Sequence, residues 1–180
     1  MRTHVALLKG INVGGKNLLK MADLRQMFAD LGMESVETLL QSGNVVFGCS
    51  GMSLVELGAL FEKEASTRLG INVRFFVRTL DQMDEIVRDN PFTAEALADP
   101  SHLLVHFMGA VPLQFDIERV QAAVSGPEKI QAGHCHLYVV YPDGIGTSTI
   151  ARTPGWNRLT ADGTARNWNT VLKLVSLLHT

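Results

Sequence analysis

Short apolar runs and amphipathic stretches alternate along the first 90 residues. The runs are short and rich in Val, Leu and Phe, so each of them predicts a strand. They lie at residues 5–8, 36–40, 45–47 and 72–78. Only the turn at residues 41–44 separates the second run from the third, and this spacing predicts a hairpin.

Two amphipathic stretches between these runs predict helices. The first repeats apolar residues at i, i+3, i+4 and i+7 from Leu24, and Gly32 follows where a helix often ends in the left-handed conformation. The second opens with the capping-box spacing of Ser53 and Glu56 and is closed by Gly70. The resulting order, β-α-β-β-α-β, is the split βαβ arrangement of ferredoxin-like folds.

The same order begins again after residue 100, less clearly. A third helix, at residues 80–89, is stopped by Asn90-Pro91-Phe92. The pattern then predicts a strand at 102–108, a helix at 116–124 and a hairpin formed by 129–131 and 137–141. Residues 144–163 are interrupted by Pro and Gly and predict no regular element. Thr164 is predicted to cap a final helix, and no last strand is predicted.

The predicted fold class is therefore α+β, with two ferredoxin-like (βαββαβ) halves, of which the second is incomplete or diverged. The predicted domains are residues 1–90, which carry a Gly-rich loop, and residues 101–180, which end in a C-terminal helix. Residues 91–100 form the joint between them.

This topology predicts where a ligand could bind. In a ferredoxin-like sheet the third strand lies between the first and second and is antiparallel to both, so the Gly-rich loop at 10–17 and the turn at 41–44 should be neighbours. Glycine allows a ligand to approach the backbone, successive N–H groups can form an anion nest, and the loop leads towards a helix N-terminus. We therefore predict a site for a small anion, either a phosphate or a nucleotide. The candidate ligand-binding residues are Lys9, Asn12, Gly14, Gly15, Lys16, Asn17, Gln41, Ser42 and Asn44, with Arg166 and Asn167 from the basic start of the last helix.

Other chemistries fit the sequence less well. Gly10, Gly15 and Lys16 have P-loop spacing, but Asn17 stands where a Ser or Thr would bind magnesium, which argues against a P-loop. The histidines of the second half share strand faces in pairs, yet no carboxylate supports them, so we predict exposed sheet histidines and no metal. No Ser-His-Asp arrangement is evident and no cofactor is predicted. Whether the protein is an enzyme is left open.

Composition and charge set the class of protein. The 180 residues are 46% hydrophobic, which excludes a disordered chain, and the formal net charge of −2 argues against nucleic-acid binding. The charge is uneven, because residues 1–25 carry +4 and residues 144–180 carry +3, which leaves −9 in the middle. With two cysteines, no signal-peptide pattern and no membrane-length apolar run, we expect a cytoplasmic protein with no membrane partner.

Four segments together suggest a family. Residues 7–17, 41–47, 90–92 and 166–170 resemble the signature segments of the bacterial domain-of-unknown-function family numbered 1697. The resemblance implies two ferredoxin-like halves and carries over no established activity. Members of that family tend to have a more regular, basic helical segment after the turn at Gly144, whereas Thr153-Pro154-Gly155 interrupts it here.

Three functions stay open at this point. The first is small-anion binding at the two loops and the last helix. The second is a nucleic-acid-binding module on an open sheet face, which would need exposed aromatic residues on its central strands. The third is a structural or partner-binding protein without catalytic activity, in which both loops only organise the fold. The oligomeric state is not predicted.

Overall fold

The computed structural model describes residues 1–15 and 17–180, so the prediction for Lys16 lies outside the described residues. Over that part of the chain it contains two four-stranded antiparallel sheets and seven α-helices, which makes the fold α+β. Contacts group Met1–Glu85 with Lys173–Thr180 as one unit and Ile86–Leu172 as a second. The domain boundaries at 1–90 and 101–180 stay a prediction, because contact grouping does not show that either segment folds alone.

The first unit contains a sheet whose order positions the candidate loops. Its strands are β1 (His4–Leu8), β2 (Glu34–Leu39), β3 (Asn44–Gly48) and β4 (Phe75–Thr79). The order is β2-β3-β1-β4 and every neighbouring pair is antiparallel. The third strand thus lies between the first and second, as predicted, and the end of β1 meets the turn between β2 and β3.

Two helices pack on this sheet, α1 (Met21–Asp30) and α2 (Leu54–Leu69). The predicted capping box starts α2, because Glu56 N–H donates to Ser53 Oγ at 3.3 Å and Ser53 N–H donates to Glu56 Oε2 at 2.8 Å. Gly70, with φ of +66°, ends the helix. Phe28 stacks on Phe61 with ring centroids 4.2 Å apart in the middle of the core. Local capping and core packing thus fix the helices as their sequences predict.

The second unit repeats the strand order of the first. Its strands are β5 (Leu103–Met108), β6 (Lys129–Ala132), β7 (His136–Val140) and β8 (Gly163–Asn167), in the order β6-β7-β5-β8. The remaining helices are α3 (Leu80–Arg88), α4 (Thr93–Ala98), α5 (Gln114–Ala123), α6 (Trp156–Leu159) and α7 (Trp168–Leu178), with a 3-10 turn at Ile150–Arg152. Among the described residues, no helix combines the length and apolarity needed to cross a membrane.

A strand, β8, precedes the final helix in a segment for which the sequence predicts no strand. β8 pairs antiparallel with β5, and Arg166 lies opposite Val105. Thr164 lies within β8, and the side chain of Asn167 caps α7 instead, accepting a hydrogen bond from Thr170 N–H at 3.0 Å. The polar sequence of β8 hides it from a hydrophobic pattern, since pairing with a buried central strand makes it a strand.

The prediction of exposed sheet histidines was wrong for two of them. His106 and His136 are both buried, and because His106 pairs with Leu137 they lie on opposite faces of the sheet. His106 Nε2 is 3.3 Å from the Tyr141 hydroxyl, and the ring meets the edge of Trp156. Burial lowers the pKa of His106 to about 4. This histidine therefore belongs to a hydrogen-bonded core.

The buried His106 predicts a specific loss of stability in acid. Its pKa of about 4 in the folded chain lies below the ordinary value of 6.5, so the unfolded chain takes up a proton first as the pH falls. The free energy of unfolding should fall by about 3 kcal/mol from this group between pH 6.5 and pH 4. Urea titrations across this range should show a flatter pH dependence for His106→Gln. His134→Gln, at an exposed position, is the control, and an equal flattening in both variants would contradict the account.

Gly43 lies where β1 meets the turn, at a position with no space for a side chain. Its φ is +71°, and a Cβ there would stand 2.7 Å from the Cβ of Leu8 and from Cδ1 of Ile11. Gly51 has a similar φ of +81° but open space around it. Gly51→Ala should cost about 1–2 kcal/mol for the left-handed backbone, and Gly43→Ala should cost about 1–3 kcal/mol more for overpacking. Equal unfolding free energies for the two variants would show that the close approach is absent.

Candidate functional site

The side chain of Asn12 joins the Gly-rich loop to the turn at 41–44. Its Nδ2 donates to the carbonyl oxygens of Gln41 at 2.8 Å and of Leu19 at 3.0 Å. Its Oδ1 accepts from the Leu19 N–H at 2.8 Å. One amide therefore connects three backbone segments, and the two loops are neighbours, as the topology predicted.

The Gly-rich loop is also closed on itself. Asn17 Nδ2 donates to the Gly10 carbonyl at 3.0 Å, and the Asn12 N–H donates to the Asn17 carbonyl at 3.2 Å. Gly14 and Gly15 have φ of +57° and +75°, both are exposed, and a Cβ at either would meet nothing within 4 Å. Glycine is required there by the backbone conformation, and the space beside the backbone stays open to a ligand.

The turn at 41–44 contains one buried and two exposed candidates. Asn44 is fully buried, and its Nδ2 donates to the Leu39 carbonyl at 2.9 Å and to Ser42 Oγ at 3.0 Å. Gln41 and Ser42 are exposed. The amides of Asn12, Asn17 and Asn44 thus hold the backbone of the loops, which makes these asparagines positioning residues for anything that binds above them.

We call residues 8–20 and 39–44 together the loop cluster. It contains three lysines, Lys9, Lys16 and Lys20, and no Asp or Glu, for a local charge of +3. Lys20 occupies the N-cap of α1 without a capping hydrogen bond, where Ser or Asp is favoured and a cation meets the positive end of the helix dipole.

The first helix, α1, begins shortly after the Gly-rich loop. The helix begins at Met21, so three residues separate it from the end of the Gly-rich loop at Asn17. Asp23 supplies a carboxylate in the first turn of the helix. The N-terminus of α1 is therefore not directly attached to the Gly-rich loop.

The two candidates from the second unit, Arg166 and Asn167, lie on β8, which ends directly before α7. Arg166 is 8% exposed, and its Nη1 donates to Thr164 Oγ1 and to the Ala165 carbonyl, both at 2.8 Å. Burial lowers the pKa of Arg166 to about 10, so it stays charged at neutral pH. Asn167 caps α7. That Arg166 and Asn167 join the loop cluster in binding a ligand stays a prediction.

Sequence reasoning missed apolar residues at the loop cluster. Val13, Leu18 and Leu40 are exposed, although an apolar pattern is usually assigned to the core. The sequence carries one signal for each exposed residue: Val13 precedes Gly14, Leu18 precedes the apolar Leu19, and Leu40 directly follows β2.

The part of the chain that the structure describes has no group of three His, Cys, Asp or Glu side chains placed to hold a metal ion.

Comparison with known proteins agrees with this fold. The chain belongs to the family described as "Protein of unknown function (DUF1697)", which matches residues 1–138. It is similar in structure to the conserved bacterial protein SP0830 from Streptococcus pneumoniae, with a TM-score of 0.77 and 25% identity over 98% of each chain. A search of the curated proteins finds no match.

The hydrogen bonds of Asn12 predict a graded loss of stability. Asn12 and Asn17 both have positive φ, 54° and 47°, so glycine can replace either without backbone strain. Asn12→Gly removes three side-chain hydrogen bonds and should cost about 3 kcal/mol, whereas Asn17→Gly removes one and should cost about 1 kcal/mol. Each substitution raises the conformational entropy of the unfolded chain by the same amount. The difference in unfolding free energy between the two variants therefore measures the lost side-chain hydrogen bonds. No difference between them would refute the role given to Asn12.

Proposed function

We propose that the protein binds a small phosphate-bearing anion at the loop cluster. The observation that carries this proposal is the Asn12 amide, which joins the Gly-rich loop to the polar turn at 41–44. The sequence of the cluster contains three lysines and no Asp or Glu, and this composition favours an anion over a cation as the ligand.

The groups available in the loop cluster match phosphate chemistry. Gly14 and Gly15 expose backbone in the left-handed conformation, and an anion-binding nest pairs a residue in this conformation with a right-handed one. Gln41 and Ser42 offer polar side chains at the exposed turn, and the lysines supply charge. Backbone amides and lysine point charges bind phosphate oxygens without requiring a metal.

The fold supports the same location for the site. We infer that both halves are ferredoxin-like, because each sheet has the order second-third-first-fourth in its own strands, all of them antiparallel. In that arrangement the loop after the first strand and the hairpin turn share an edge. We further propose a bacterial protein of the cytoplasm, consistent with the free thiols of Cys49 and Cys135.

The other two functions receive less support. A nucleic-acid module on an open sheet would need exposed aromatic residues on its central strands, yet every residue of β3, β5 and β7 is buried, and so are Phe75 and Phe76. A purely structural role explains the bonds of Asn12, Asn17 and Asn44. It leaves unexplained the exposed glycine backbone at positions 14 and 15.

Calorimetric titration of the full chain with inorganic phosphate and pyrophosphate tests the proposal. We expect saturable binding that weakens as salt is added, and about a tenfold loss of affinity for Lys16→Ala, equivalent to about 1.4 kcal/mol. Lys63→Ala is the matched control, because it removes the same charge from an exposed position on α2. Absence of binding to both anions, or an equal loss in Lys63→Ala, would refute an anion site at the loop cluster.

A further inference from the structure

A cavity of about 400 Å³ in the first unit is lined by a concentration of sulfur-containing residues. The chain has seven methionines and two cysteines, and four of these nine residues line this one cavity: Met1, Met33, Cys49 and Met52. Methionine is an ordinary core residue that fills irregular gaps. Three methionines and a cysteine around a space that stays open therefore require another explanation.

The cavity lies at the end of the sheet opposite the loop cluster, where β1 begins and β3 ends. The Thr3 N–H donates to the Phe47 carbonyl at 2.9 Å. The Thr3 hydroxyl donates to the Cys49 carbonyl and accepts from the Cys49 N–H, both at 3.2 Å. These bonds fix the backbone of Cys49 beside the start of β1.

Three of the sulfur-containing side chains share one face of the sheet. Met33 is 8% exposed and belongs to the core between the sheet and helices α1 and α2, and Cys49 and Met52 pack against the same core. Met1 approaches Gly48, the residue before Cys49, so closely that a Cβ at Gly48 would stand 2.5 Å from the Met1 carbonyl oxygen. Residues carrying one thiol and three thioethers thus border a single space.

This set of side chains suits a soft metal ion. Thiolate and thioether sulfurs are ligands that select Cu(I), whereas Ca²⁺ and Mg²⁺ require oxygen. Zinc sites are built from Cys, His, Asp and Glu rather than from methionine. One thiolate with neutral thioethers also balances the single charge of Cu(I), so the bound ion brings no net charge to a cavity that borders the core.

We propose that this cavity binds one Cu(I) ion through the Cys49 thiolate and the thioether sulfurs of Met33 and Met52. Met1, which is 87% exposed, supplies a further thioether at the open side. Binding releases the thiol proton of Cys49 to solvent and the metal stays Cu(I), so no electron is exchanged. The site does not depend on the proposed function, because it uses the opposite end of the sheet.

Competition for Cu(I) between the full chain and the colorimetric chelator bicinchoninate, under anaerobic and reducing conditions, tests this inference. We expect the chain to withdraw one Cu(I) per molecule from the chelator. Cys49→Ser should weaken binding at least a hundredfold. Met33→Leu/Met52→Leu should weaken it at least tenfold, because leucine nearly conserves the volume of methionine and lacks the sulfur.

Two matched controls separate the cavity from sulfur elsewhere in the chain. Cys135→Ser removes the other free thiol, which is half-buried like Cys49. Met21→Leu removes a thioether that packs against the same core but is not among the residues that line the cavity. Both variants should keep the affinity of the unaltered chain, and circular dichroism checks that all variants fold.

Every other outcome overturns the inference. If the chain withdraws no Cu(I), there is no site. An unchanged affinity in Met33→Leu/Met52→Leu would leave a single thiol as the ligand and refute the thioether site. An equal loss in Met21→Leu or Cys135→Ser would show that the cavity is not where the metal binds. If the double variant does not fold, Met52→Leu at its half-buried position decides by the same comparison with Met21→Leu.

Discussion

The candidate site depends on the side chain of a single residue, Asn12. Its amide donates hydrogen bonds to the carbonyl oxygens of Leu19 and Gln41 and accepts one from the N–H of Leu19. A glycine-rich loop has high conformational entropy and does not keep a shape without such bonds. The sheet brings the two loops to one edge, and the amide then fixes them as one surface. This connection joins the open glycine backbone of the loop to the turn at 41–44.

The sheet itself provides the reason for the glycine in the turn. Leu8 at the end of β1 donates its N–H to the Gly43 carbonyl at 2.9 Å, so the chain segments approach more closely than a side chain at position 43 would allow. Glycine at this position is required by packing, whereas Gly14 and Gly15 have open space around them and are required by their φ angles alone. The same residue type thus has a structural role at position 43 and leaves the backbone accessible at positions 14 and 15.

The first unit could be predicted in some detail because its signals are local. The spacing of Ser53 and Glu56 specifies a helix start, and apolar runs between turns specify strands. β8 was missed because its five residues are mostly polar and become a strand through pairing with β5. The burial of His106 also depends on tertiary packing, against Trp156 and Tyr141, which no local pattern contains.

For the candidate site, the sheet topology predicted that the two loops are neighbours, but it did not predict the hydrogen-bond partner of each side chain. Asn12, Asn17 and Asn44 were grouped with the ligand-binding residues because their amides suit an anion. The structure uses those amides for backbone carbonyls. Whether an asparagine side chain bonds to its own loop or to a ligand depends on its rotamer and on the path of the backbone, and residue type does not specify either.

The most direct test of the central claim is a phosphate titration of the full chain followed by amide chemical shifts in NMR. Binding at the loop cluster predicts saturable shifts of the Gly14 and Gly15 amide signals. The signals of Gly51 and Gly70, which also have positive φ but lie outside the cluster, should stay in place. Saturable shifts centred on any other part of the chain, or none at Gly14 and Gly15 at saturating phosphate, would contradict the account.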